Sequence, residues 1–385
     1  MMKKRLLALL LALAMILVLC ACGSSGGVMN ETKDDGGSES DTAAVSNGKT
    51  YEWKLASAWG EGSRQFEFDE RFCDKVGEMS NGRLKIKCYG AGQLAATTEV
   101  FDLVADGDVE VGSDAPQYWN GKNTAFDLLG YNVLGLDAPD YLTWYFGGEG
   151  YELTKDLYHK YGLEYFYTAI TNPESGIRSN TKITSLADLK GKSIRMSGNV
   201  IGKVLEKLGI TSTSMTLDEA VDGLEKGVID AMEYSSPVMD YTMQIYEIAK
   251  YWIGPGFHQT SAPYGIMFNQ DAYDSLDDEL KNVIEVCAKA NLLEAFGENM
   301  YMDAEATQKM LEEEGIEISY FSDEDLAKIE AARNEVYEEM AADNKDFAKI
   351  AKSQMEYFKT MTYYQEEFLG EYSSTRIPKV YPKLG

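Results

Sequence analysis

Apolar residues in this chain follow two spacings, and residues 193–209 show the change from one to the other. Polar and apolar residues alternate over Ser193–Met196, as in a short strand, whereas from Val200 apolar residues recur every three or four positions. The second spacing predicts a helix that ends at Gly209, because glycine is common just after a helix C-terminus. Arg195 lies at the end of the predicted strand. A lone arginine there is usually a solvated surface residue, so only its surroundings can suggest a role.

The same succession of strands and helices occurs twice. Residues 99–111 (EVFDLVADGDVEV) align with residues 219–231 (EAVDGLEKGVIDA), and acidic, glycine and apolar positions coincide. Each copy predicts an amphipathic helix that ends at a glycine, Gly107 or Gly227, followed by a short strand. A strand, a helix and a second strand are predicted upstream of each copy in the same order. The two units therefore predict an α/β protein with two similar lobes that face a cleft.

The remainder of the chain is predicted mainly from long helical patterns. Residues 262–268 are predicted as a strand, residues 278–315 as a nearly uninterrupted helix, and residues 316–320 as a brief strand. From Ser322 a helical pattern continues to about Tyr372. Helices of this length can brace both lobes or pack against a partner.

The N-terminus has the pattern of an export signal. Three basic residues precede an apolar run, Leu6–Leu19, which is too short to span a bilayer. The following cysteines resemble the lipid-attachment motif of bacterial lipoproteins, which predicts a signal peptide over residues 1–21 and lipidation of Cys22. An ordinary secretory signal with incidental cysteines is the alternative. Residues 22–49 predict a flexible tether, so the mature chain is expected outside the cytoplasm, anchored to the cell membrane by acyl chains.

Composition restricts the classes of function. The chain has 63 acidic and 36 basic residues and a formal net charge of −27, so nucleic acid and anionic lipid would be repelled. An anionic ligand must therefore be held by local groups. Beyond the N-terminus the cysteines are Cys73, Cys88 and Cys287, and their odd number and wide spacing predict neither a disulfide framework nor a zinc site. The only histidines are His159 and His258, and no hydrolase motif is present, which argues against hydrolytic chemistry.

Polar and aromatic side chains stand at the predicted carboxyl ends of strands. Arg195 ends one predicted strand, and Glu233 and Tyr234 follow another. Tyr118 and Trp119 occupy a corresponding edge in the first repeat. Ligands bind at these edges in open α/β sheets, and an arginine can hold a carboxylate through two parallel hydrogen bonds. The pattern thus predicts that Arg195 binds a carboxylate ligand, while burial in the core is the alternative for the two aromatic residues.

Several short motifs occur in order along the chain. They are Gln93-Leu94 after a glycine turn, residues 183–191 leading to Ile194-Arg195, Leu208-Gly209, and residues 227–231 with Glu233. Together they resemble the solute-binding proteins of TRAP transporters, the tripartite ATP-independent periplasmic transporters. The resemblance implies a two-lobed, periplasmic-binding-protein-like clamshell with mixed, mostly parallel sheets and long helices that bridge the lobes. It also implies a receptor, not an enzyme, which closes on a small organic acid through Arg195 and delivers it to a small and a large membrane subunit.

Within that family the chain is most similar to members that bind 2-oxo acids or lactate. Those members hold a metal cation beside the substrate with a glutamine, a glutamate and the backbone of the following aromatic residue. The corresponding positions are Glu174, Glu233 and Tyr234, and Tyr118 and Trp119 are expected to contact the substrate together with the last two. Glutamate in place of glutamine is a departure, because two carboxylates in one cleft repel unless protons or a cation (Ca²⁺, Mg²⁺ or Na⁺) neutralise them. A solvated or helix-capping Glu174 is the alternative.

The pattern and the resemblance together predict the domain bounds. Lobe I is expected to comprise residues 50–170 plus about 255–290, and lobe II residues 171–254 plus about 291–340. Residues 341–385 form a predicted C-terminal helical extension with many apolar positions. Such a helix either packs back on its own lobes or forms a homodimer.

Two rival interpretations fit parts of the sequence. Gly90–Ala95 fits a loose dinucleotide-binding pattern, but a diffusible nicotinamide is not available outside the cell. A solute-binding lipoprotein of an ABC transporter would share the fold and the anchor. Arg195 argues against an amine-binding receptor of that class. Neighbouring genes would decide, since two membrane subunits without an ATPase indicate a TRAP transporter.

Overall fold

The computed structural model describes residues 48–215, 217–254 and 256–370. The predicted signal peptide, Cys22, nearly all of the tether and residues 371–385 lie outside this part of the chain. Within it, no helix combines the length and the apolarity that crossing a bilayer requires.

Short strands and longer helices alternate along the described chain. The strands are β1 (Tyr51–Ala56), β2 (Leu84–Tyr89), β3 (Val111–Asp114), β4 (Leu163–Thr171), β5 (Ile177–Ser179), β6 (Ile194–Arg195), β7 (Ser212–Thr213), β8 (Ala231–Met232), β9 (Tyr251–Gly254), β10 (Ala262–Asn269) and β11 (Glu317–Tyr320). The α-helices are α1 (Arg64–Met79), α2 (Val100–Ala105), α3 (Ala125–Gly130), α4 (Ala138–Gly147), α5 (Gly150–His159), α6 (Asn199–Lys207), α7 (Leu217–Glu225), α8 (Pro237–Thr242), α9 (Ile245–Ile248), α10 (Gln270–Asp274), α11 (Asp278–Glu312), α12 (Asp323–Asp343) and α13 (Lys345–Tyr364).

The strands form two mixed sheets, which confirms the predicted α/β class. One sheet has the order β2-β1-β3-β10-β4 and the other β11-β9-β5-β8-β6-β7. In the first sheet β1 is parallel to β2 and β3, because helices connect them, whereas β10 is antiparallel to β3 and β4. In the second sheet β6 is parallel to β7 and β8, and β5 is antiparallel to β8 and β9.

The described chain crosses between the sheets three times. Residues 172–176 join β4 to β5, and residues 256–261 lead from β9 towards β10. The third crossing includes the 35-residue helix α11, which packs against β4 of the first sheet and against α8 beside the second. The long helix therefore braces both sheets.

The two sequence repeats form equivalent helix–strand units, as predicted. α2 and α7 each end before a glycine with positive φ, Gly107 at +80° and Gly227 at +70°. Glycine adopts this left-handed conformation without steric cost, which is why it ends both helices. The strands that follow begin at Val111 and Ala231, equivalent positions in the alignment.

The prediction of one continuous C-terminal helix is wrong. Asn344 has an extended backbone (φ −134°, ψ 113°) and separates α12 from α13. Its side-chain oxygen accepts hydrogen bonds from the backbone N–H of Asp346 (2.9 Å) and Phe347 (3.2 Å), which caps α13. Its Nδ2 donates to Asn123 Oδ1 at 2.6 Å and to Thr124 Oγ1 at 3.0 Å. Contacts with a distant loop therefore set the break.

Much of α13 packs back on the body of the protein. Phe347 and Ile350 are buried in the largest core cluster. Gln354 Nε2 donates to the Leu128 carbonyl at 2.9 Å. Towards the end of the described chain the aromatic rings are exposed, with Tyr363 at 77% and Phe368 at 70%. The first part of the extension is thus a component of the core, and its last turns are not.

A buried carboxyl group links the carboxyl ends of β1 and β3. Asp69, on α1, is 3% exposed and accepts hydrogen bonds from Ser57 Oγ at 2.7 Å and from Ser113 Oγ. Burial raises the pKa of Asp69 from 3.8 to about 7, although both serines oppose the shift. Between about pH 4 and pH 7 the Asp69 carboxyl group is therefore protonated in the native state and ionised in the unfolded chain.

We expect Asp69→Asn to reduce the pH dependence of stability. Because the pKa of Asp69 is raised on folding, its contribution to stability is complete below about pH 4 and is lost as the pH rises through about 7. Between pH 5 and 8 the variant should gain about 1–3 kcal/mol of unfolding free energy relative to the wild type. Denaturant unfolding at both pH values measures this, with exposed Asp108→Asn as the control. A stability difference that is the same at both pH values would contradict the assignment.

Candidate functional site

A cavity of about 450 Å³ lies between the two sheets. Its wall combines residues from the ends of strands in both sheets with aromatic rings and amide side chains. The lining residues are Trp59, Gln65, Gln117, Tyr118, Asn120, Asp127, Tyr131, Glu174, Arg195, Ser197, Gly198, Glu233, Tyr234, Ser235, Met239, Gln259 and Tyr264. Four of the five residues expected at the substrate, Arg195, Tyr118, Glu233 and Tyr234, are among them.

Arg195 ends β6 and is held against the neighbouring strand end. It is 8% exposed, and its Nη1 donates to the carbonyl (2.8 Å) and the Oε1 (2.5 Å) of Glu233. Oε1 also accepts from the Ser197 N–H at 2.7 Å. Arg195 Nη2 donates to Ser197 Oγ at 3.3 Å, a long and therefore weak bond. Its Nε donates to the Met215 carbonyl at 3.3 Å, so protein acceptors orient both edges of the guanidinium, and the bonds of Nε and Nη2 are the long ones.

Glu174 lies on the crossing segment between β4 and β5 and pairs with a histidine on another crossing segment. Glu174 Oε2 and His258 Nε2 are 2.7 Å apart, and the Glu174 N–H donates to the Gln259 carbonyl at 3.2 Å. A Cβ on Gly256 would lie 2.0 Å from the Glu174 carbonyl oxygen, so the two segments approach closely only because residue 256 is glycine. The alternative of a solvated or helix-capping Glu174 is not what the structure shows, because Glu174 lines the cavity.

Burial sets the protonation of this cluster. Burial raises the pKa of Glu174 to about 8 and that of Glu233 to about 7, and each carboxyl is further affected by nearby charges. Burial lowers the pKa of His258 to about 4. At neutral pH the imidazole is therefore neutral, and at least one proton or another cation accompanies the two carboxyl groups.

The donor atoms of this cluster fit a cation. One ligand atom each of Glu174, Glu233 and His258 lies within 4.8 Å of the others. Such separations allow a common ion after small side-chain shifts, since metal–ligand distances are about 2.0–2.6 Å. Tyr234 follows Glu233 and lines the same cavity. The residues present could hold an ion that neutralises the buried carboxylates.

Trp119 is not brought to the cavity. It is 2% exposed, its Nε1 donates to Asp114, and its ring packs 5.0 Å from that of Phe101. Its neighbour Tyr118 is 42% exposed and packs 5.5 Å from Trp59 in the cavity wall. Adjacent residues on one 3₁₀ turn thus point to the core and to the cleft, which the aromatic pair in the sequence did not distinguish.

The sequence patterns did not predict a second arginine beside the site. Arg178 is fully buried, forms an ion pair with Asp240, and donates to the carbonyls of Gly176 (2.6 Å) and Ser235 (2.5 Å). Ile177-Arg178 repeats the Ile-Arg pair that ends β6. This similarity is the one sequence feature that could have pointed to Arg178. Because its charge is used by Asp240 and two carbonyls, Arg178 orders the loop behind Tyr234.

Contacts between distant segments close one side of the cavity. Tyr131 Oη donates to the Ser197 carbonyl at 2.7 Å, and Asn199 Nδ2 donates to Asp127 Oδ2 at 3.1 Å. Gly198 has φ +116°, and a Cβ there would lie 2.9 Å from the Tyr131 ring. Sequence patterns gave no signal for these contacts, because the partners are about seventy residues apart.

Known proteins share this architecture. Residues 55–344 match the model of bacterial extracellular solute-binding protein, family 7. The chain is 25% identical over 313 residues to a monocarboxylate 2-oxoacid-binding periplasmic protein of Nostoc sp., covering 81% of this chain and 85% of that one.

Two solved structures are similar over most of the chain. A TRAP periplasmic solute-binding protein of Pseudoalteromonas atlantica with bound sodium and pyruvate is 30% identical, with a TM-score of 0.77, and the match covers 85% of this chain and 99% of that one. One of Colwellia psychrerythraea with bound calcium and pyruvate is also 30% identical, with a TM-score of 0.79 and coverage of 85% and 100%. The family consists of solute receptors and not enzymes, and the chain belongs to it as a TRAP solute-binding protein of family 7.

Proposed function

We propose that this receptor captures a small organic carboxylate, a 2-oxo or 2-hydroxy acid, and delivers it to the small and large membrane subunits of a TRAP transporter. The observation that carries the proposal is a buried arginine at a strand end in the wall of the cavity. The Nostoc relative is a 2-oxoacid-binding protein, and both solved relatives contain pyruvate. The two solved relatives are TRAP receptors, so an ABC transporter is not favoured.

Arg195 is proposed as the anchor of the ligand carboxylate. Among the described residues Nη2 donates only to Ser197 Oγ, and a carboxylate oxygen can replace this long bond with a shorter, charge-assisted one. Tyr118 and Tyr234 would enclose the body of the acid, since both line the cavity. Glu233 holds the guanidinium in place from the other edge, so little conformational freedom is lost on binding.

A cation at Glu174, Glu233 and the Tyr234 backbone is proposed to complete the site. The raised pKa values of Glu174 and Glu233 support this proposal, because a buried carboxyl group resists ionisation unless a compensating charge is near. An ion there would supply that charge, and the adjacent oxygens of a 2-oxo or 2-hydroxy acid could bind it together. The relatives that contain pyruvate also contain sodium or calcium.

Closure of the two predicted lobes is proposed to trap the ligand. The hydrogen bonds from Tyr131 to Ser197 and from Asn199 to Asp127 join segments from both sides of the cavity. They would form as the lobes approach and break as they separate. The predicted lobe bounds place the two partners of each bond in different lobes.

Anchoring and assembly are also proposals. Lipidation of Cys22 would hold the receptor at the cell membrane, near its membrane subunits, by a tether of residues 22–49. A homodimer through residues 341–385 is the second proposal. Its support is the exposure of Tyr363 and Phe368 at the end of the described chain.

We expect Arg195→Lys to weaken binding of 2-oxo and 2-hydroxy acids by about 2 kcal/mol or more, roughly thirtyfold. Lysine keeps the charge but loses the fork that bonds both Glu233 and the ligand. Titration calorimetry against a panel of such acids measures the change. Arg64→Lys, which alters a half-buried arginine that pairs with Glu298 and does not line the cavity, is the matched control. Unchanged affinity in the Arg195 variant would remove this residue from the site.

We expect ligand affinity to depend on a cation. Affinity for pyruvate should fall in chelator and recover with added divalent ion, with a coupling free energy of about 1–3 kcal/mol. Glu174→Gln should reduce this dependence, because it removes one of the two charges that the ion neutralises. Calorimetry on both proteins with and without chelator makes the comparison. Affinity that ignores both chelator and added ions would leave Arg195 as the sole charged anchor.

A further inference from the structure

His258 has the position of a ligand but is not one of the three residues proposed to hold the cation, Glu174, Glu233 and Tyr234. It is fully buried, and its Nε2 faces Glu174 Oε2 at 2.7 Å. Its Nδ1 is buried and has no hydrogen-bond partner among the described residues. Nε2 points into the cluster, so when the ring proton is on Nδ1 the Nε2 lone pair is directed at the space beside Glu174 and is available to a metal.

The donor set formed by these side chains differs from that of a hard-cation site. Sites for Ca²⁺ and Mg²⁺ are built from oxygen ligands, whereas an imidazole nitrogen favours zinc and other transition metals. Here an imidazole and two carboxylates lie within 4.8 Å of one another. Three protein ligands of this kind also leave coordination positions for oxygen atoms of a bound molecule.

Glu233 can take part without releasing Arg195. Its Oε1 accepts from both Arg195 Nη1 and the Ser197 N–H, and its second oxygen, Oε2, takes no part in these two bonds. A metal on Oε2 would therefore leave the guanidinium oriented. The Glu233 carboxylate would then bind Arg195 through Oε1 and the cation through Oε2.

We infer that His258 is a metal ligand and that, with Glu174 and Glu233, it makes the cation site selective for a divalent transition metal such as Zn²⁺ over Ca²⁺, Mg²⁺ and Na⁺. This inference rests on the proposed cation site. A purely structural His258 would orient Glu174 by a hydrogen bond and would leave the choice of metal to the oxygen ligands. The two roles differ in metal selectivity.

The test is calorimetric titration of the full chain, freed of metal by chelator, with ZnCl₂ alone and with CaCl₂ alone. The wild type should bind Zn²⁺ at least about tenfold more tightly than Ca²⁺. His258→Gln should weaken Zn²⁺ binding by about tenfold or more but change Ca²⁺ binding by less than about threefold, because glutamine offers an oxygen instead. His159→Gln, at the partly exposed histidine that pairs with Glu164, is the matched control and should change neither. His258→Asn serves as a second variant if melting shows that the first is unfolded.

Equal affinity of the wild type for the two ions, or an equal loss of both in the His258 variants, would overturn the inference. So would a wild type that binds neither ion. Pyruvate is titrated separately into the metal-loaded and the metal-free protein. Failure of pyruvate to bind in either state contradicts the proposed carboxylate receptor and leaves the metal result to stand alone.

A different observation concerns two cysteines remote from the cavity. Cys73 lies on the buried face of α1 and Cys88 on β2, and their Sγ atoms are 3.0 Å apart. The wide spacing along the sequence predicted no disulfide framework, but packing of α1 on β2 brings the thiols together. A disulfide is about 2.05 Å long, so a movement of about 1 Å would join them.

We also infer that Cys73 and Cys88 form a disulfide in the exported protein. Cys88 is only partly buried, so its thiolate can attack a low-molecular-weight disulfide and release one thiolate. Cys73 then attacks the mixed disulfide, and its proton leaves with the second thiol. The oxidant gains two electrons and two protons, and one S–S bond replaces another at each step.

Mass mapping of the exported full chain without reduction tests this inference. A peptide cross-linked between Cys73 and Cys88 is expected, with Cys287 recovered as an alkylated thiol. Cys88→Ser should lower the melting temperature on the order of 5 °C under non-reducing conditions, and Cys287→Ser should not abolish the cross-link. Recovery of both Cys73 and Cys88 as alkylated thiols would overturn the inference.

Discussion

The cleft buries more negative than positive charge, and the arrangement around it follows from that imbalance. Glu174 and Glu233 are both largely withdrawn from water, and Arg195 contacts only the second of them. Two like charges about 4 Å apart at an effective dielectric constant of 20 repel by about 4 kcal/mol. An anionic ligand adds to this repulsion, so protons or a cation must be present before it enters. The backbone N–H of Ser197 contacts the Glu233 carboxyl group, and the imidazole of His258 contacts that of Glu174. Both contacts help to satisfy the buried carboxyl groups.

The two buried arginines show how context decides the use of one side chain. Arg178 on β5 and Arg195 on β6 belong to the same sheet, in the two strands that flank β8. The first is neutralised by Asp240 and two carbonyls, and removing either partner of such a pair leaves an uncompensated buried charge. The second shares its carboxylate with a backbone N–H and retains a weakly bonded Nη2. Of the two, Arg195 is the one that lines the cavity, where a ligand can replace the long bond of its Nη2.

Local patterns predicted much of the fold and part of the site. The helices ended by Gly107 and Gly227, the strand end at Arg195 and the placement of Glu233 all depend on residues close together in sequence. The pairing of Glu174 with His258 spans 84 positions, and no periodicity encodes it. The same holds for the break at Asn344, where two residues more than two hundred positions away bind the side chain. Long-range hydrogen bonds of this kind override an otherwise continuous helical pattern.

Two groups of the cluster lie on the segments where the chain passes from one sheet to the other. Glu174 belongs to residues 172–176 and His258 to residues 256–261. Hinge motion of a two-lobed protein is concentrated in such connections, so atoms there move least when the lobes separate. Tyr118 follows β3 of the first sheet and Arg195 ends β6 of the second, so separation of the proposed lobes would carry them apart. In kinetic terms, an ion held near the axis of rotation should outlast many openings, while the acid exchanges at each one. The receptor would then keep the same cation bound through many transport cycles and exchange only the carboxylate ligand.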